Sequence, residues 1–181
     1  FSKIFTESLP LGSLDIGDKN EFAIADRSYT LSLWFTCKPP DGRVRGLISA
    51  GGGPEEMAGW ALWIEGDGSG LTFRAGDGSE GFDLSVKHDS LENEEWHHVA
   101  VTIERDSREV CLFLDGERKD SLKVEALAGK TIGSPLGLSI GRTSDTERYH
   151  LGKIDDVALW HRALHPDEIK DIFQSGESAG D

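Results

Sequence analysis

The fold is decided by EEWHHVAVTIERDSREVCLFLDGER, residues 94–118. Within Trp96–Glu104, Val99, Val101 and Ile103 fall on every second position; within Arg108–Leu114, Val110, Leu112 and Leu114 do the same. A period of two puts each apolar set on one face of an extended strand. The link ERDSRE is polar and short, so the two strands pair as an antiparallel hairpin and their apolar faces meet in a core.

Working outward, the same grammar recurs. Asp-Gly stands at 41–42, 67–68, 77–78 and 115–116, a pair that tolerates the positive φ angles of tight turns. Between the turns lie segments dense in Val, Ile, Leu, Trp, Phe and Thr: Tyr29–Cys37, Val44–Ala50, Gly59–Glu65, Leu71–Ala75, Phe82–His88, Leu136–Ile140 and Lys153–Trp160. Strand upon strand at this spacing predicts an all-β, two-sheet antiparallel sandwich. One segment departs from it. HRALHPDEIKDIFQSG places Pro166 in a first helical turn, Asp167 and Glu168 where the helix dipole favours anions, and Ile169, Ile172 and Phe173 on one stripe, which predicts a short C-terminal helix over 166–174 ending near Gly176.

The 181 residues suit one domain, 1–181, and the start at Phe1 reads as a piece excised from a larger protein. Asp plus Glu number 33 against 19 Lys plus Arg, a net charge of −14. That excludes a nucleic-acid or anionic-lipid surface, which needs clustered cations. No apolar run approaches the length of a membrane span. Cys37 and Cys111 sit in apolar runs and read as two buried thiols, with a bridge between neighbouring strands as the alternative.

YTLSLWFTCK, EEWHHVAVTIERDSREVCLFLDGER and GKIDDVALWHRALHPDEIKDIF, in that order, resemble the laminin G-like, concanavalin A-like lectin/glucanase jelly-roll family of bacterial surface and polysaccharide-degrading proteins. The resemblance spans Leu14 to Phe173. It implies a jelly roll with one concave sheet face and a non-catalytic recognition module of a larger extracellular, surface or periplasmic protein. Its partner would be a polysaccharide or other glycan; the alternative is a protein-interaction or spacer domain with no glycan ligand. The glycoside hydrolases of this fold carry their acid and nucleophile on one strand face, in E-x-D-x-x-E or E-x-D-x-E. No such pattern is read in this chain, and no enzyme is expected.

The resemblance also implies Ca²⁺ held where an N-terminal loop meets the last long strand. In this chain those positions are Asp18, with Gly17 as a carbonyl donor, and Asp155 and Asp156. By simple alternation Asp155 shares the face of Val157 and Leu159, and Asp156 that of Ala158 and Trp160, so one of the pair is the direct ligand. The alternative is a carboxylate that caps a turn beside a solvated one. Lys19 in GDKNEF, where the family places an uncharged or acidic residue, weighs against the metal.

A sugar needs an aromatic platform with planar polar groups around it. Trp63 with Arg74 on the following strand is one candidate. The loops GGGPEEMAG and GRTSDTERYH, with Met57, Arg142, Arg148, Tyr149 and His150, are the other. Each Trp is equally readable as core, Trp34, Trp60, Trp96 and Trp160 lying in strands or at their ends. His97 and His98 are adjacent, so a strand points them to opposite faces and they cannot share a metal.

Overall fold

The computed structural model describes residues 2–4, 13–16, 24–89, 91, 93–125, 131–133, 136–143 and 149–177, with backbone only at 2–4 and 177. Twelve strands form two antiparallel six-stranded sheets. The first is ordered β1 (Ser2–Ile4), β12 (Gly152–Trp160), β3 (Tyr29–Cys37), β8 (His97–Glu104), β9 (Glu109–Leu114), β10 (Glu117–Lys123). The second is ordered β2 (Leu14–Ile16), β11 (Leu138–Ile140), β4 (Arg45–Ala50), β5 (Ala58–Ile64), β6 (Gly70–Asp77), β7 (Gly81–Lys87). One helix, α1 (Pro166–Glu177), follows.

The central hairpin forms as its alternation requires. β8 and β9 pair with Val99 opposite Leu114, Val101 opposite Leu112 and Ile103 opposite Val110, and all six lie in the core. Each Asp-Gly turn places its glycine at positive φ, from +73° at Gly68 and Gly116 to +93° at Gly78. Three strands lie outside the sequence expectation. β1 and β2 are only three residues long. β10 reads ERKDSLK, without an apolar alternation, because it is an edge strand exposed from Glu117 to Asp120, with Leu122 alone packed against the core.

Cys37 and Cys111 are both buried thiols, not bridged to each other. Cys37 faces the core between the sheets, whereas Cys111 belongs to a second apolar cluster on the outer face of the first sheet. That cluster, Ala100, Cys111, Phe113, Leu164 and Ile169, is where α1 docks. The helix starts as its sequence predicts. Glu168 accepts the backbone N–H of His165 at 2.9 Å and both Arg162 guanidinium nitrogens at 2.6 and 2.8 Å, bonds that hold its carboxyl down at about 2. It runs on through Gly176 to Glu177, and the glycine lets it pass close to Trp34, whose indole a side chain at 176 would meet at 2.5 Å.

Trp34 stacks on Phe173 with centroids 5.5 Å apart and planes 17° apart, and both lie against His98. Phe173→Ala is therefore expected to cost about 2 kcal/mol in urea unfolding, less than a fully buried ring because Phe173 is half-buried. Trp34 emission should move to the red. An unchanged midpoint would show that the helix does not depend on this stack.

The tryptophans divide. Trp60 is fully buried, and Trp63 and Trp34 keep 3% and 9% of their surface. Trp96, read as core, is 44% exposed, because it precedes β8 and has no strand partner to cover it. His150, read as part of a contact loop, turns inward onto the Thr36 carbonyl at 2.8 Å and is buried.

Candidate functional site

With α1 on the first sheet, attention falls on the solvent face of the second. Along β5, Trp60, Leu62 and Ile64 point into the core, so Ala61 and Trp63 point out. The register then defines a row that crosses all six strands: Asp15, Ser139, Ser49, Ala61, Arg74, Asp83. A second row runs Gly46, Trp63, Thr72, Ser85. The two rows are polar but for Ala61, Gly46 and one indole.

Trp63 and Arg74 come together, as the sequence suggests. The guanidinium carbon lies 5.6 Å from the centre of the Trp63 ring. Arg74 is also clamped by Asp83 through two bonds of 2.6 Å, and its Nη1 donates to the carbonyls of Pro54 at 2.6 Å and Gly53 at 3.3 Å. The backbone of Arg142 and Thr143 crosses the face at Gly46, so close that a side chain there would meet Thr143 N at 2.2 Å. Trp63 is thus enclosed, and its ring face carries Arg74 instead of lying open.

What Trp63 offers is its edge. Its Nε1–H donates to Glu65 Oε1 at 3.0 Å, and Thr72 Oγ1 donates to the same oxygen. Ser85 Oγ, 2.8 Å from Thr72 Oγ1, completes the chain. No described residue holds Glu65 Oε2. Glu65 lines a groove of about 470 Å³ together with Asp67, Ser69, Thr72, Ser85 and Lys87. The hydroxyl and backbone N–H of Ser69 hold the Asp67 carboxyl below the ordinary range. Glu65, Thr72 and Ser85 were not singled out from the sequence. Their signal was present, since Trp63 and Glu65 are two apart in GWALWIE, and LTFR and DLSVK alternate polar and apolar in the same phase.

Toward the β2 edge, Arg142 bonds Asp15 Oδ1 at 3.0 and 3.2 Å, and Ser139 donates to the same oxygen at 2.8 Å. Tyr149 bridges to Arg142 and is 40% exposed. Met57 is 38% exposed. Arg148 lies outside the described residues.

The two aspartates of GKIDDVALW are on the first sheet, and simple alternation misplaces them. Asp156 has φ +49°, and the β12–β3 register slips between Asp155 and Ala158. This bulge puts both Ile154 and Val157 in the core. Asp155, opposite Trp34, consequently faces away from Val157 and Leu159. Its Oδ1 accepts the backbone N–H of Asp156 at 2.7 Å. Asp18 and Gly17 lie outside the described residues. Among the described residues no group of three His, Cys, Asp or Glu side chains stands close enough to hold a metal. Asp155 and Asp156 alone fall short of the six to eight oxygens that calcium takes.

One carboxylate pattern escaped the sequence reading. ERDSRE, residues 104–109, spells E-x-D-x-x-E. The structure spreads it across a turn, with Glu104 ending β8 and Glu109 opening β9. Glu104 accepts the Ser28 hydroxyl at 2.7 Å, and Glu109 stands 3.8 and 3.9 Å from Lys123 and Arg118. Two carboxylates on separate strands, each with its own partner, do not make the single-strand acid and nucleophile of a glycosidase.

The sequence profile of the concanavalin A-like lectin/glucanases superfamily matches residues 12–170. The chain belongs to that superfamily. Among solved structures similar to this superfamily member is the binding domain of Paraclostridial Mosquitocidal Protein 1, at 15% identity and a TM-score of 0.73 over 96% of this chain and 43% of that one. The binding domain of botulinum neurotoxin serotype G matches at 13% identity and TM-score 0.73, over 98% of this chain and 45% of that one. The CBM40 of the Ruminococcus gnavus IT-sialidase, bound to α2,3-sialyllactose, matches at 15% identity and TM-score 0.66, over 94% and 98%. The chain thus spans less than half of the two toxin domains and nearly all of the CBM40. At such identities the likeness is one of fold. No curated protein matches the chain in sequence. Among the described residues no helix is long and apolar enough to cross a membrane.

Proposed function

We propose that this chain is a non-catalytic carbohydrate-binding module of a larger protein working outside the cytoplasm, and that the solvent face of its second sheet takes the glycan. The observation that carries the reading is Glu65. A carboxylate fixed by Trp63 and Thr72 through one oxygen, its other oxygen held by no described residue, beside a groove lined by hydroxyls, is the acceptor that a pair of sugar hydroxyls requires. Trp63 and Arg74 act as the wall that sets this geometry. Tyr149, with Arg148 beside it in sequence, supplies the exposed aromatic at the other end of the face. The toxin and sialidase neighbours are binding domains, which supports recognition over catalysis.

Glycan-array binding of the purified domain, in calcium and again with chelator, tests this. Glu65→Gln should weaken any glycan bound by tenfold or more while circular dichroism stays unchanged. Trp63→Phe, which deletes the indole donor, should weaken it several-fold. Loss of binding with chelator would support a calcium ion held by Asp18 with one of Asp155 and Asp156, and unchanged binding would leave calcium a structural role or none. Silence of a folded domain toward every glycan would sink the reading in favour of a protein partner.

A further inference from the structure

We infer that the groove beside Trp63 selects glycans free of acidic groups and turns away sialylated ones, although one structural neighbour is named for binding α2,3-sialyllactose. The inference rests on the reading of this face as the glycan site. It follows from counting which charges are free to meet a ligand. A sialic acid, uronic acid or sulfate ester needs a cation or a cluster of N–H donors, best an arginine fork. Two cations stand near the groove. Arg74 has its fork on Asp83, its remaining nitrogen on the Pro54 and Gly53 carbonyls and its plane near the Trp63 ring. Lys87 lines the groove together with Asp67.

Against these stand two carboxylates, Glu65 and Asp67, on the same groove. One lysine against two carboxylates leaves the groove lining with a net negative charge, and Glu65 Oε2, which no described residue holds, is an anionic acceptor. A sugar hydroxyl donates to it readily, and a second carboxylate is repelled by it. Thr72, Ser69 and Ser85 add hydroxyls that serve neutral hydroxyl groups in either role. The net charge of −14 extends the same discrimination to long range, slowing the approach of any acidic polymer.

Paired probes sharing one core separate the possibilities: lactose against α2,3-sialyllactose, N-acetyllactosamine against its 6-sulfated form, and galactan against polygalacturonate, measured by calorimetry or on an array at 50 and 150 mM salt. The expected result is binding of at least one neutral probe and at least tenfold weaker binding of its acidic counterpart, the gap narrowing at higher salt. Glu65→Gln should lose the neutral ligand. Asp67→Asn should narrow the gap by threefold or more. Equal or tighter binding of the acidic probe would overturn the selectivity and leave the glycan site standing. Failure of every probe, with the domain folded, would overturn the glycan reading itself and this inference with it.

Discussion

Acidification from pH 7 to pH 4 is expected to destabilise the fold by on the order of 5 kcal/mol, with uptake of close to two protons on unfolding. The protons belong to His98 and His150. Burial pushes both imidazoles down to about 4, against an ordinary value near 6.5. His98 lies on the outer face of the first sheet with Trp34 and Phe173, and its Nε2 stands 2.7 Å from Ser32 Oγ. Asp115 and Asp156 favour its charged form, but the loss of water outweighs them. His150 keeps Nε2 on the Thr36 carbonyl, and the nearby Arg45 cation disfavours a second charge. Nδ1 of each ring is buried without a partner.

Both rings are neutral in the folded chain above about pH 4, whereas the unfolded chain protonates them near 6.5. The unfolded state thus binds more protons across that window, and stability falls as pH drops through it, levelling below pH 4 as far as these two groups are concerned. Urea unfolding at pH 7, 6, 5 and 4 measures the slope. His150→Gln, which preserves an N–H donor, should halve it. Stability that stays flat between pH 6.5 and 4.5 would mean that the rings take up protons without leaving their places.

The second large effect is steric. Gly152→Ala is expected to cost about 3 kcal/mol and to lower the melting temperature by about 8 °C. A methyl group at this position would lie 1.8 Å from the Thr36 carbonyl oxygen and 2.7 Å from His150 Nε2. It would strike the bond that seats His150 at the first pairing of β12 with β3. Neither neighbour is a flexible side-chain end, so backbone must move. Gly133→Ala serves as the control, since its methyl would meet only Thr131 Cγ2 at an ordinary 3.8 Å. Equal melting temperatures for the two variants would refute the argument.

These positions also mark how far the sequence could be read. The hairpin of β8 and β9 was legible because Val99, Val101, Ile103 and their partners obey a strict period of two against a polar turn. The site was half legible. Trp63 and Arg74 were visible as a pair on adjoining strands. Their engagement with each other was not, because Asp83 and the Pro54 carbonyl reach Arg74 from segments whose register no local pattern reveals. Glu65 stayed hidden because a polar residue ending a strand looks like the start of a turn. Asp155 and Asp156 were assigned opposite orientations by counting, and one residue at φ +49° reversed the count. A bulge adds a residue without changing composition, so alternation alone cannot register it.

The charged border formed by β10 has a consequence for life at high local concentration. A strand with one unpaired flank is a template on which another chain can zip and begin cross-β growth. Here that flank carries Glu117, Arg118, Lys119, Asp120 and Lys123, with the register broken between Arg118 and Asp120. An incoming strand would have to strip water from five charges and match a kinked ladder. Copies of this sandwich crowded together would stay separate molecules.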